Sequence, residues 1–368
     1  MSERVTSFST DLEFQQMGFS SGTFSLFWDP ASNEHSIEEM IHQPMANWTR
    51  VSELILLGFP GLDESFDVPI SIGLFLAYII SLFANATVIL LIAFNRHLNQ
   101  SMYKIMVNLA VSDLLFDTIT LPKIIAKYWF SAGSIPYCVC ILQLFCVHFL
   151  GSVDAFIIML MALDRYIAIC YPLRYSCIMT NRTTCILCCF FWIFAGAIGA
   201  VTAILDSTVP ICNKNKIKGC FCTNTALTAL SCTDVTFVKQ LAFGLAMFVL
   251  LLPFTFIIFS YVAIIKAICS RDHCENWRKT FYTCATHLLV IGLYFIPRIF
   301  VYISNQVQLI LDEDLNVLLL CLYTFVPHMA NPVIYCLRTK EIRKTIGRFI
   351  QKIIIKVKNP ISVSVIVN

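Results

Sequence analysis

Seven stretches of this chain are predominantly apolar for more than 20 residues at a time: Val68–Phe94, Met102–Ile125, Ile135–Cys170, Thr184–Leu205, Phe237–Cys269, Thr280–Ile303 and Val317–Leu337. About 20 helical residues cross the hydrocarbon core of a bilayer, where no water satisfies the backbone and a helix satisfies it internally. The runs are too long for barrel strands and lack their period-two alternation. The sequence therefore predicts an all-α membrane protein, a seven-transmembrane helix bundle. The third and fifth runs exceed 30 residues. At ~1.5 Å per residue they outreach a bilayer, which predicts tilt and extension beyond it. Only 13% of residues are charged, against roughly 25% in a soluble domain. So little charge cannot cover a surface that faces water alone. The net charge of +3 gives no sign of a nucleic-acid partner. The 17 cysteines are too scattered for a small disulfide scaffold and are read by position.

Three regions follow: an N-terminal segment (1–66), the helix bundle (67–338) and a C-terminal segment (339–368). Met1–Pro44 lacks a basic start followed by an apolar core, so no cleavable signal peptide is expected there, and the first span serves as targeting signal. Met45 offers a second start, so residues 1–44 read either as an upstream extension or as a disordered tail. With the C-terminus inside, 17 Lys and Arg fall on the cytoplasmic side and 8 on the other. That bias puts the N-terminus outside. Of the Asn-X-Ser/Thr sites, only Asn47-Trp48-Thr49 is then open to glycosylation. Ile342, Ile346, Phe349, Ile350 and Ile353 recur at helical spacing among basic residues. They predict a short amphipathic eighth helix on the inner leaflet.

Polar groups inside spans are costly and point to function. Here they are Asn85, Asp113, Asp117, His148, Asp154, His287, Arg298, His328 and Asn331. Asp113 and Asp154, with Asn85 and Asn331 as neutral oxygen donors, would suit a small hard cation such as sodium. The alternative is a water-filled hydrogen-bond network with one carboxyl protonated. No other cofactor is expected. At the inner end of the third span stands Asp164-Arg165-Tyr166, where the carboxylate can hold the guanidinium. No Gly-rich phosphate loop occurs, and an enzyme is not expected. Cys185 and Cys188 have the spacing of half a metal site without a partner pair, which favours ordinary packed cysteine.

Together these motifs resemble class A G-protein-coupled receptors, and more narrowly vertebrate odorant receptors, over residues 45–350. Met161-Ala-Leu-Asp-Arg-Tyr-Ile-Ala-Ile-Cys-Tyr-Pro-Leu-Arg-Tyr175 is the most specific match. Glu53–Phe59, Asn108–Asp113, Trp192, Arg278–Leu288 and Asn331-Pro332-Val333-Ile334-Tyr335 resemble further family motifs. Pro253, Tyr294-Phe-Ile-Pro297, Asp154 and Ala84 depart from the mammalian pattern and suggest a fish-like branch.

The resemblance implies a plasma-membrane receptor that binds a small odorant between spans three, five, six and seven and activates a heterotrimeric G protein, raising cyclic AMP. By matched position the pocket is Val147, His148, Gly151, Ser152, Leu245, Arg298, Tyr302 and Thr324. Activation by population shift would move span six about Pro297 and release Arg165 from Asp164, with Tyr261, Asn331, Pro332 and Tyr335 taking part. The resemblance also pairs Cys140 with Cys222 and Cys212 with Cys232, leaving Cys138 and Cys220 either free or joined. Arg298 either reads an anionic ligand, reaches the surface, or pairs with Asp312, Glu313 or Asp314. A metabolite receptor and a transporter are the alternatives. Retinal would need a lysine in span seven, which has none, and an amine would need an acid where Val147 stands.

Overall fold

The computed structural model describes residues 51–211, 215–269, 277–307, 312–338, 342–347 and 351. Asn47 and Cys212 lie outside the described residues, as do the side chains of His287 and Tyr335. Seven long helices dominate: α1 Asp67–Phe94, α2 Ser101–Phe130, α3 Tyr137–Cys170, α4 Asn181–Ser207, α5 Thr236–Cys269, α6 Trp277–Gln306 and α7 Glu313–Arg338. All seven contain a segment long and apolar enough to cross a membrane. The chain is a multi-pass membrane protein. The helices begin and end on local chemistry. The Thr180 hydroxyl accepts from the Thr183 N–H at the start of α4, satisfying one of the orphan donors of a first turn. At the end of α2, Ser131 takes a left-handed φ of 53° and its N–H bonds the Ala126 carbonyl.

Helix α3 is the axis of the bundle. Of its most apolar window, 61% is buried, against 22% for α1 and for α4, so α1 and α4 lie at the periphery. Their exposed Phe83, Leu90, Phe190 and Ile193 would be an aggregation surface in water and are solvated by lipid chains in a bilayer. Close approach between α3 and α4 depends on Gly199, where an added Cβ would lie 3.0 Å from the Phe149 backbone nitrogen. The Trp192 indole N–H donates to Asn108 Oδ1 at 3.0 Å, fixing α4 on α2.

Extended structure also occurs, in three places outside the apolar runs save for Ile135 and Pro136. Strand β1 (Glu53–Leu56) pairs antiparallel with β2 (Ser134–Pro136) and parallel with β3 (Lys216–Ile217). Leu54 and Leu56 point inward and are fully buried against Ile135, Leu144 and Ile217. The alternation in Glu53-Leu-Ile-Leu56 thus covers one end of the bundle, beside the start of α3. At the opposite end, residues 342–347 are helical. Ile342 is fully buried and Ile346 packs against the same core as α3, α5 and α6. Of the expected apolar stripe, Ile342 and Ile346 thus face the bundle, and Phe349, Ile350 and Ile353 lie outside the described residues.

Candidate functional site

A cavity of about 400 Å³ opens between α3, α5, α6, α7 and the loop before α5. All eight residues matched to a pocket line it: Val147, His148, Gly151 and Ser152 from α3, Leu245 from α5, Arg298 and Tyr302 from α6, and Thr324 from α7. The α3 residues come together because positions i, i+4 and i+5 share a helix face. The loop supplies Thr223, Asn224, Thr225 and Ala226. It is held over the cavity by the Cys140–Cys222 disulfide, with 5.6 Å between Cα atoms. Gln143 reinforces the staple: its Oε1 accepts from the Cys222 N–H at 2.9 Å, and its Nε2 donates to the Ile119 carbonyl at 3.0 Å.

Of the two alternatives left open for Cys138 and Cys220, free or joined, the structure has both as free thiols. Cys138 is an exposed free thiol. Cys220 is buried, with its Sγ 3.3 Å from Cys321 Sγ on α7, so Cys138 and Cys220 do not meet. That contact, and then burial, hold the Cys220 thiol well above the usual cysteine range. Cys232 is disulfide-bonded, and its N–H bonds the Pro210 carbonyl at 3.4 Å. Its expected partner Cys212 lies outside the described residues. Cys185 is exposed and Cys188 buried, both as free thiols.

Arg298 is 7% exposed and does not reach the surface. Its guanidinium lies 3.7 Å from the centre of the Tyr294 ring and 5.3 Å from that of Tyr323, and Nη1 donates to the Tyr294 carbonyl at 3.2 Å. Such stacking suits a planar, weakly hydrated cation. Two of the three candidate acids are engaged elsewhere: Glu313 with Lys218, and Asp314 with the Gly61 N–H at 3.1 Å. Among the described residues no carboxylate lies within ion-pair distance of Arg298. Lys218, Lys239 and Arg298 outnumber Glu313, the one carboxylic acid of the lining. Tyr294 and Tyr323 were absent from the expected pocket. Tyr294 lies one helical turn before Arg298, a spacing that could have been read; Tyr323 reaches the site only through packing of α7 on α6.

One turn inward from Gly151 the expected polar cluster is assembled, with two additions. Asn331 Nδ2 donates to Asp113 Oδ2 at 3.0 Å, and Asn85 Nδ2 donates to the His328 carbonyl at 3.2 Å. His328, fully buried, occupies the centre. Its Nδ1 is 2.7 Å from Asp117 Oδ1, and its Nε2 is 3.7 Å from Asp113 Oδ1 and 3.5 Å from Asp154 Oδ2. The Tyr294 hydroxyl donates to the Gly151 carbonyl at 2.6 Å, joining α6 to α3 between the cluster and the cavity.

The inner motif is arranged differently from expectation. Asp164 accepts from the Tyr175 hydroxyl at 2.7 Å, and burial beside Asp164 raises the Tyr175 phenol above its ordinary range. Arg165 turns to Met102 Sδ. Asp164 is therefore hydrogen-bonded to the segment after α3, and among the described residues no ion-pair contact joins it to Arg165. Tyr261 is buried in the same core, Pro297 sits inside α6, and Pro332 is buried in α7.

Comparison with known proteins matches this arrangement to one family. The family model described as "Olfactory receptor" covers residues 74–353. Olfactory receptor 1M1 of Mus musculus is 36% identical over 309 residues, 83% of this chain and 97% of its own length. Olfactory receptor 10G8 of Homo sapiens is 32% identical over 311 residues, 84% of this chain and 98% of its own length. Both are mammalian and do not bear on the fish-like branch. Both are receptors, not enzymes. Seven membrane-crossing helices, an outer cavity under a disulfide-tied loop, and similarity spanning nearly the full length of these relatives agree, and the chain belongs to the olfactory receptor family.

Proposed function

We propose that this chain is an odorant receptor of the plasma membrane, with its N-terminus extracellular. It binds a small odorant in the cavity between α3, α5, α6 and α7 and activates a heterotrimeric G protein of the stimulatory type. The observation that carries the reading is the cavity itself. Its volume of about 400 Å³ lies in the range of small-ligand sites, and it is mostly apolar with a few convergent polar groups. The excess of cations in the lining selects odorants with negative charge or a strong acceptor. Arg298 is already stacked and oriented, so a carboxylate could accept from it without first breaking an ion pair.

Odorant binding shifts the population toward a state in which α6 moves about Pro297 and the inner end opens to the G protein. The Tyr294–Gly151 hydrogen bond and the polar cluster lie between the cavity and Asp164-Arg165-Tyr166, so they are the contacts such a movement must rearrange. The test is cyclic AMP in cells displaying the receptor, exposed to a panel of small carboxylic acids, esters, alcohols and amines. A concentration-dependent rise with some members, absent from untransfected cells, is expected. Ligand-independent solute uptake without cyclic AMP would overturn the reading.

A further inference from the structure

The small hard cation, such as sodium, expected of Asp113, Asp154, Asn85 and Asn331 does not fit the site as assembled. A hard cation takes oxygen ligands, and the centre of this cluster is an imidazole nitrogen. Nε2 of His328 faces Asp113 Oδ1 and Asp154 Oδ2 at 3.7 and 3.5 Å. Both distances exceed those of an N–H···O hydrogen bond, about 2.7–3.2 Å. Nε2 and the two facing oxygens are buried without a hydrogen-bond partner, as are Asn85 Oδ1 and Asn331 Oδ1. Buried polar atoms of this kind are ordinarily satisfied.

We propose that Asp113, Asp154 and His328 bind a divalent transition-metal ion of the zinc class. Three observations carry this. The ligand atoms of these residues all lie within 4.8 Å of one another and all three residues are buried. A tetrahedral ion with ligand bonds of about 2.1 Å has ligand–ligand edges of roughly 3.4 Å, close to the 3.5 and 3.7 Å found here. The third is the other face of the ring. Nδ1 of His328 meets Asp117 Oδ1 at 2.7 Å, the carboxylate–histidine arrangement that fixes tautomer and ring orientation at metal sites. Where Nδ1 donates its proton to Asp117, an ion that displaces the Nε2 proton would meet a lone pair directed toward Asp113 and Asp154. Imidazole with carboxylate suits zinc and its neighbours, whereas carboxylate, carbonyl and water suit harder ions. Phe116, edge-on to the imidazole at 5.1 Å, packs the ring in place. The ion would join α2, α3 and α7 at one point, with Asp117 as a positioning residue.

The test uses the purified full-length receptor in detergent and three probes: cobalt(II), zinc(II) and sodium chlorides. Cobalt is expected to give the visible absorption of a four-coordinate site without a thiolate charge-transfer band. Zinc should displace it at one ion per receptor and raise Tm, while sodium raises it little. His328→Asn should abolish the cobalt spectrum. Asp117→Asn should keep it but weaken zinc binding about 10- to 100-fold. The wild-type spectrum does not depend on any variant folding. Stabilisation by sodium but not zinc would overturn the assignment, as would no response to either metal. A cobalt spectrum that survives His328→Asn, or that shows thiolate bands, would place the metal on the cysteines and overturn it too.

Discussion

Arg298 concentrates the chemistry of the cavity into one side chain. A guanidinium at membrane depth needs compensation, and here it comes from two tyrosine rings and a carbonyl. That leaves part of the donor fork toward the cavity. Arg298→Gln removes the charge while keeping a polar side chain. The response to carboxylic odorants should then weaken by about tenfold to a hundredfold, the worth of a hydrogen bond to a charged group. Responses to matched esters and alcohols should move far less. Dose–response curves with surface expression controlled decide this, and an unchanged preference for acids would remove Arg298 from ligand reading. The sequence shows that an Arg follows Pro297. It does not show where the side chain goes, because the stacking partner Tyr323 is on another helix and the competing acids Glu313 and Asp314 are engaged by Lys218 and the Gly61 N–H, contacts made only by the fold.

At the level of elements, the helices are written in the apolar runs, and their contacts are written in single residues. Gly199 is one: an added Cβ would meet Phe149 backbone, which cannot swing aside as a side-chain tip can. Gly199→Leu should separate α3 from α4 and cost about 1–3 kcal/mol, the usual range for overpacking. A lower Tm and reduced surface expression are expected, and wild-type values for both would contradict the close packing. The outer loop offers a second test. Non-reduced peptide mapping should recover Cys140 joined to Cys222, with Cys138 alkylated in the native protein and Cys220 only after unfolding. Alkylated Cys140 or Cys222 in native receptor would contradict the staple. The seven spans were legible because bilayer thickness sets a length that local sequence must meet. The small sheet was not: its strands are two to four residues long, and their pairing joins segments distant in the chain. The Asp164–Tyr175 bond escaped for a related reason, since a carboxylate beside an arginine suggests a pair until the next segment supplies a hydroxyl.

For the whole molecule, the Lys and Arg bias predicts the orientation. The N-terminus should face outward, so glycosidase treatment should shift gel mobility through Asn47 alone. Asn47→Gln with unchanged mobility would contradict that. Much of the candidate site could be read by resemblance, position by position, and the eight matched residues do meet at one cavity. The role of His328 could not, because its partners Asp113, Asp117 and Asp154 are scattered over more than 40 residues of sequence and converge only when α2, α3 and α7 pack.

The central claim is that occupancy of the outer cavity drives the inner end. Gly151 permits a direct test, since an added Cβ there meets nothing within 4 Å and a larger side chain would extend into the cavity without first displacing a neighbour. Cyclic AMP should be measured against odorant concentration for wild type and Gly151→Leu at equal surface expression. The expected result is a saturable wild-type response that the substitution weakens by tenfold or more, scaling with ligand size. A wild-type response left unchanged by filling the cavity would contradict the claim.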